Sequence, residues 1–173
     1  PCIKSTDGGN VTVSETPQGG HSQTSSPEVT PAISSSDSGS AAPKPAQAYD
    51  PTHRSLQLAL AAAQVADELK GQDVLILDLR ELTCIFDYFV IASGTSRRQL
   101  HAISEDIDHR LEDDLGDQRM GIEGYDASSW ILLDYGTVVI HLFDSETRDY
   151  YGIEKLWGEA PQVPWRELIS TNN

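Results

Sequence analysis

The sequence predicts an α/β (α+β) domain, a single mixed sheet of about five strands flanked by helices, behind an unstructured arm. Three observations lead there. Apolar residues alternate between helical spacing and short runs, in the order helix, strand, strand, helix, strand, strand, strand, helix. The runs Val74-Leu75-Ile76-Leu77 and Tyr88 to Ala92 are apolar throughout, as in strands covered on both faces. The composition also changes abruptly at Asp50-Pro51.

Residues 1–50 are dominated by Ser, Thr, Pro and Gly and hold no aromatic before Tyr49. Such a segment buries too little apolar surface to offset its conformational entropy, so it is expected to be disordered. It contains no Arg and carries Asp7, Glu15, Glu28, Asp37 and Asp50, which argues against an organelle transit peptide. Those five acids against Lys4 and Lys44 give −3, so −12 of the formal −15 belongs to the rest of the chain. An acidic domain repels phosphate backbones, so little direct nucleic-acid contact is expected. A basic protein partner suits this charge better. The two cysteines, Cys2 and Cys84, can build neither a disulfide framework nor a zinc cluster. The longest apolar runs are far too short to span a bilayer, and a cytoplasmic protein without membrane contact is expected.

The domain is expected over residues 51–158. Asp50 and Pro51 suit the cap and first position of a helix. Leu56, Leu60, Ala63 and Ala66 recur at helical spacing as far as Leu69, and Gly71 closes the helix. Strands follow over Asp73 to Arg80 and about Tyr88 to Ala92. Gly94-Thr95-Ser96 turns into a long helix, with Ser96 and Gln99 in capping-box spacing. Leu100, Ile103, Ile107 and Leu111 form its apolar stripe, Glu105, Asp106, Asp108, Glu112 and Asp113 its acidic face, and Gly116 its end. A short strand is expected around Ile122, then a hairpin of Trp130 to Leu133 and Thr137 to Phe143 about Tyr135-Gly136. The last helix should run from Ser145 through Tyr151 to Trp157. Gly158, Pro161 and Pro164 then stop further helix, leaving residues 159–173 as a tail.

Enzyme chemistry finds little support. Gly94 and Ser96 ahead of Asp106-Ile107-Asp108 suggest a metal-dependent nucleotidyltransferase, the alternative reading. On a helix, however, Asp106 and Asp108 point roughly 200° apart and cannot share a metal. Asp78 has Arg80, not a second acid, two residues on. His101, Glu105 and His109 spread over two helical turns, too far to chelate one ion well. The Gly94 to Ser96 turn with Arg97 and Arg98 reads as an N-cap before it reads as an anion cradle. Ser128 and Ser129 lack a glycine elbow. No catalysis, cofactor or metal is expected.

Along Thr137 to Phe143, Val138, Ile140 and Leu142 share one face and Val139, His141 and Phe143 the other. His141 is therefore either a hydrogen-bonded structural histidine or an interface residue. Trp130, at a strand start after a polar loop, is either core or an exposed anchor. Asp134 suits turn chemistry or a basic partner. Arg148, Tyr151 and Glu154, three residues apart, can line one side of the last helix.

Several separated blocks carry a family resemblance. They are Lys70-Gly71-Gln72-Asp73-Val74, Asp87 to Ser96, Ser129-Trp130-Ile131-Leu132-Leu133-Asp134-Tyr135-Gly136, Val138 to Phe143, Arg148, Tyr150-Tyr151 and Glu154-Lys155-Leu156-Trp157. Over about Leu56 to Trp157 the chain resembles the Iojap/RsfS ribosomal silencing factors. The resemblance implies a nucleotidyltransferase-like core without its catalytic equipment. It also implies binding to the fourteenth protein of the large ribosomal subunit, blocked joining of the small subunit, and repressed translation. The partner surface is expected on the hairpin and its neighbouring loops, with Trp130, Asp134, Tyr135 and His141 as candidates and Asp87, Tyr88 and Arg148 nearby. The protein is expected as a monomer or homodimer.

Overall fold

A computed structural model describes Tyr49, Asp50 and residues 52–171. The stretch expected to be disordered, apart from its last two residues, lies outside the described residues. Five strands, β1 (Gln72–Asp78), β2 (Tyr88–Gly94), β3 (Gly121–Glu123), β4 (Trp130–Asp134) and β5 (Val138–Asp144), form one sheet in the order β1-β2-β5-β4-β3. β2 and β5 are parallel, and the remaining neighbours are antiparallel, so the sheet is mixed as expected.

One face is covered by α1 (Arg54–Glu68) and α2 (Arg97–His109). The α2 stripe of Leu100, Ile103 and Ile107 is buried, as is Leu111 in the π-helical turn Arg110–Asp114 that continues it. These side chains pack with Val90, Ala92, Ile131, Leu133, Ile140 and Leu142. Fully burying a residue of this size stabilises by about 1.5–3 kcal/mol, so this face dominates the core. The other face presents Leu77, Phe89, Ile91, Val139 and Phe143 to Ile153 and Ala160, with Trp130 and Trp157 packed at the margin.

Several local expectations need correction. The first helix starts at Arg54, not at Asp50-Pro51, because the Asp50 carboxylate is engaged by Thr52 N–H at 2.9 Å and Thr52 Oγ1 at 2.7 Å. At its end the left-handed position falls on Lys70 (φ 63°), and Gly71 is needed because a Cβ there would lie 2.7 Å from the Ala66 carbonyl oxygen. The capping pair is partly as expected. Ser96 Oγ accepts from Gln99 N–H at 3.2 Å, but Gln99 Oε1 accepts from Thr95 N–H at 2.8 Å instead of reaching Ser96. Gln99 Nε2 also donates to the Leu69 and Lys70 carbonyls, both at 2.9 Å, and so ties the start of α2 to the end of α1.

The last helix is not continuous. α3 (Ser145–Tyr151) is capped by Asp144 and ends at Gly152, whose φ of 53° breaks it from α4 (Ile153–Leu156). Beyond Gly158 the chain packs along β1. Asp78 N–H donates to the Pro161 carbonyl and Val163 N–H to the Ile76 carbonyl, both at 2.9 Å. A further helix, α5 (Trp165–Thr171), then buries Trp165, whose indole N–H donates to the Val74 carbonyl at 3.2 Å. The expected stop to further helix therefore fails: α4 ends at Leu156, ahead of the prolines, and α5 begins directly after Pro164, while the extended segment between them covers a sheet edge that would otherwise expose unpaired backbone.

Candidate functional site

The seven candidate residues fall into two groups at opposite ends of the sheet. Asp87, Tyr88, Asp134 and Tyr135 gather where β2 begins and the β4–β5 hairpin turns: Asp87 N–H donates to the Thr137 carbonyl at 2.7 Å, and Tyr88 pairs with Val138. Trp130 and Arg148 lie at the other end, four strand residues away or roughly 13 Å, with His141 reaching toward them.

The first group is largely turned inward. Tyr88 is fully buried and Tyr135 is 4% exposed, so neither ring is available to a partner. The reason is strand alternation: both side chains point to the α1–α2 face. Tyr135 Oη donates to Asp108 Oδ1 at 2.6 Å, and Asp108 is also paired with Arg119. Burial pushes both phenols well above their ordinary range. Asp87 accepts from Ser55 Oγ at 2.5 Å, and Asp134 Oδ1 accepts from Gly136 N–H at 2.7 Å, the turn chemistry expected of it. Both carboxylates stay partly exposed.

The second group forms an aromatic face. Trp130, half-buried, stacks on Phe143 with ring centres 4.9 Å apart and touches Tyr151 at 4.9 Å. Its indole N–H donates to His141 Nδ1 at 3.3 Å. His141 is 4% exposed, packs edge-on against Phe89 at 4.8 Å, and has no hydrogen-bond partner on Nε2. Burial lowers its pKa from 6.5 to about 4, because a charged imidazolium among aromatic rings has lost its water. Phe89 continues the row to Trp157 at 5.6 Å.

Arg148 holds the cover over this face. Its Nε donates to Glu154 Oε1 at 2.6 Å, its Nη1 to Ser93 Oγ at 2.9 Å and its Nη2 to the Asp73 carbonyl at 2.9 Å. With 10% of its side chain exposed, it clamps α3 and α4 to β1 and β2.

Sequence reasoning did not choose the side chains that protrude most. Tyr150 is 83% exposed, Tyr151 51% and Leu156 77%. α3 buries none of its residues. Adjacent helical residues point about 100° apart, so the Tyr150-Tyr151 doublet could not turn both rings fully inward, and that was a usable signal.

The groups weighed for chemistry are held in structural bonds. Arg80 grips Asp78 through Nε at 2.9 Å and Nη2 at 2.7 Å. His101 Nε2 meets Ser128 Oγ at 2.6 Å, Glu105 accepts from Tyr125 Oη at 2.5 Å, and His109 pairs with Asp113 at 2.5 Å. The three side chains imagined around one ion are therefore engaged elsewhere, His101 and Glu105 with the Tyr125–Ser128 loop and His109 with Asp113. Among the described residues no group of three or more His, Cys, Asp or Glu is arranged to hold a metal. Thr95 and Ser96 are engaged with Gln99, and Arg97 donates to the Asp126 carbonyl at 2.5 Å. Among the described residues, no helix is long and apolar enough to cross a membrane.

A single five-stranded mixed sheet with helices on it places the chain among α+β proteins. Comparison with known proteins narrows this. The model of the family "Ribosomal silencing factor during starvation" matches residues 52–173, and the chain belongs to that family. A ribosomal silencing factor of Bacillus subtilis is 40% identical over 100 residues, 58% of this chain and 84% of that protein. A mouse protein named for mitochondrial assembly of the ribosomal large subunit is 40% identical over 90 residues, 50% of this chain but 39% of its own length. A crystal structure of a Chromobacterium violaceum protein superposes with a TM-score of 0.59 at 34% identity, covering 65% of this chain and 91% of that one.

Proposed function

We propose that this protein silences translation by binding the large ribosomal subunit through that subunit's fourteenth protein, which keeps the small subunit from joining. It acts by occupying a surface, not by catalysis, and it acts in the cytoplasm. The observation that carries this reading is the partly exposed Trp130 flanked by the protruding Tyr151 and Tyr150. Aromatic anchors of this kind dominate interface energies. The −12 carried outside the first fifty residues supports a basic partner, since opposite fields steer encounter. The family's name and that of the mouse relative support a ribosomal target.

Within this reading the surface is redrawn from the one the sequence suggested. Trp130, Tyr150 and Tyr151 supply contact area. Asp134 and Asp87 serve as rim charges at the far end, and Arg148 and His141 act from behind. Sucrose-gradient sedimentation of purified subunits with added protein tests it. The protein should travel with the large subunit and reduce the joined-ribosome peak. Co-migration with the small subunit alone, or unchanged joining at saturating protein, overturns it.

A further inference from the structure

The contact between Trp130 and His141 assigns a proton. Indole Nε1 can only donate, so His141 Nδ1, 3.3 Å away, must be the unprotonated acceptor. In a neutral ring the proton then sits on Nε2, and Nε2 is buried without a hydrogen-bond partner. The reverse tautomer would set two N–H groups against each other while leaving a bare Nε2 in the same place. The imidazole therefore makes one directional bond, to Trp130.

That bond acts on a side chain at the margin of the core, packed against the Phe89–Phe143 cluster. Trp130 is only half-buried, and its other ring contacts are Phe143 beneath it and Tyr151 at its side. Stacking on Phe143 sets the plane of the indole, and it is apolar and does not select where the N–H points. A hydrogen bond to a buried acceptor fixes which edge points inward and which faces solvent. His141 is itself rigid: it lies in the middle of β5, its strand position pairs with both Ile91 and Leu132, and its ring is held by Phe89 and Phe143.

We propose that His141 is a positioning residue for partner binding, holding the Trp130 indole through Nδ1 in the orientation that meets the partner. This rests on the reading of Trp130 as the anchor. It changes the expected role of His141 from a contact residue to one that never touches the partner, consistent with its 4% exposure.

The test combines nitrogen-15 NMR with binding to purified large subunits. In the wild-type protein a long-range imidazole spectrum should show His141 Nδ1 unprotonated and Nε2 protonated. The opposite tautomer overturns the proposal whatever the variants do. The Trp130 indole resonance, assigned by its loss in Trp130→Phe, should exchange slowly with solvent. In His141→Phe, which keeps a ring but removes the acceptor, that resonance should shift and exchange faster, and affinity should fall about tenfold. His141→Asn places its amide oxygen where Nδ1 was and should restore both the slow exchange and most of the affinity. A folded His141→Phe that binds like wild type overturns the positioning role while leaving Trp130 as anchor. Trp130→Ala binding at wild-type affinity in the same assay defeats the anchor reading itself. If His141→Phe does not fold, the Asn variant still decides: intact fold with slow exchange and retained affinity supports the proposal, and intact fold with lost affinity overturns it.

Discussion

Arg148 reaches across the helix break at Gly152 to meet Glu154, with Nε and Oε1 2.6 Å apart. The same guanidinium donates to Ser93 Oγ and the Asp73 carbonyl, so one side chain joins α3, α4, β1 and β2. Arg148→Ala leaves the half-buried Glu154 carboxylate without this donor and loosens the cover over the aromatic face. The expected loss is about 2 kcal/mol of unfolding free energy by denaturant titration, the range for a charge-assisted bond with its partner left behind. Arg148→Lys should recover less than half of it, since an ammonium cannot span three acceptors in a plane. A loss under about 0.5 kcal/mol would show an ordinary surface ion pair.

Binding should separate from stability at the aromatic face. Trp130→Ala is expected to lower affinity for large subunits about thirtyfold, roughly 2 kcal/mol. Because Trp130 is half-buried on Phe143, that variant also loses packing, and its fold must be verified by circular dichroism. Tyr150→Ala is the cleaner probe. At 83% exposure it should move the unfolding midpoint very little, and a fall in affinity at unchanged stability would locate the interface on α3. Wild-type affinity in both variants would move the interface elsewhere, and the acidic side of α2 is the next place to look.

Much of the fold was legible because its signals are local. The order of strands and helices follows from runs such as Val74 to Leu77, and alternation along β5 correctly separated Ile140 from His141. The candidate site was less legible, for the same reason of alternation. Asp87-Tyr88 and Asp134-Tyr135 look like polar-aromatic surface pairs, but alternation at the end of β4 turns Tyr135 into the core while Asp134 stays partly exposed, and Tyr88 opens β2 facing the core while Asp87, ahead of the strand, bonds Ser55 of α1. Gly152 gave no warning, since a glycine inside a helix and one in the left-handed region are the same letter. The packing of Pro161 to Trp165 on β1 is a contact across some ninety positions, as in the Trp165 to Val74 bond, and no local pattern announces it.

The buried imidazole makes stability fall with acid. In the unfolded chain His141 takes its ordinary 6.5, whereas in the fold it is lowered to about 4 by burial. The unfolded state therefore binds the proton first. The stabilisation is fully present above pH 6.5 and is lost as pH falls toward 4, by about 2 kcal/mol between pH 7 and pH 5. Urea midpoints measured over that interval should fall more steeply for the wild-type protein than for His141→Asn. The comparison cancels the carboxylates, which titrate in both proteins. Parallel slopes would mean that His141 is charged without penalty in the folded state.

Gly124 controls Trp130 from the backbone. It sits at φ +74°, and a Cβ built there would lie 1.9 Å from the Trp130 carbonyl oxygen and 3.1 Å from its carbonyl carbon. Neither atom can yield alone, because Trp130 opens β4 and pairs with Phe143. Gly124→Ala must therefore move the loop or the start of the strand, in addition to placing a side chain in the left-handed region at roughly 1–2 kcal/mol. We expect a total loss of about 3 kcal/mol or more by denaturant titration, together with a displaced Trp130 indole resonance and weaker large-subunit binding. Gly116→Ala is the matched control, since Gly116 has φ +64° but nothing within 4 Å of its Cβ position. It should show the backbone cost without disturbing Trp130. If the two variants lose equal stability and both keep the wild-type indole resonance, contact between the loop and Trp130 plays no part in setting the aromatic face.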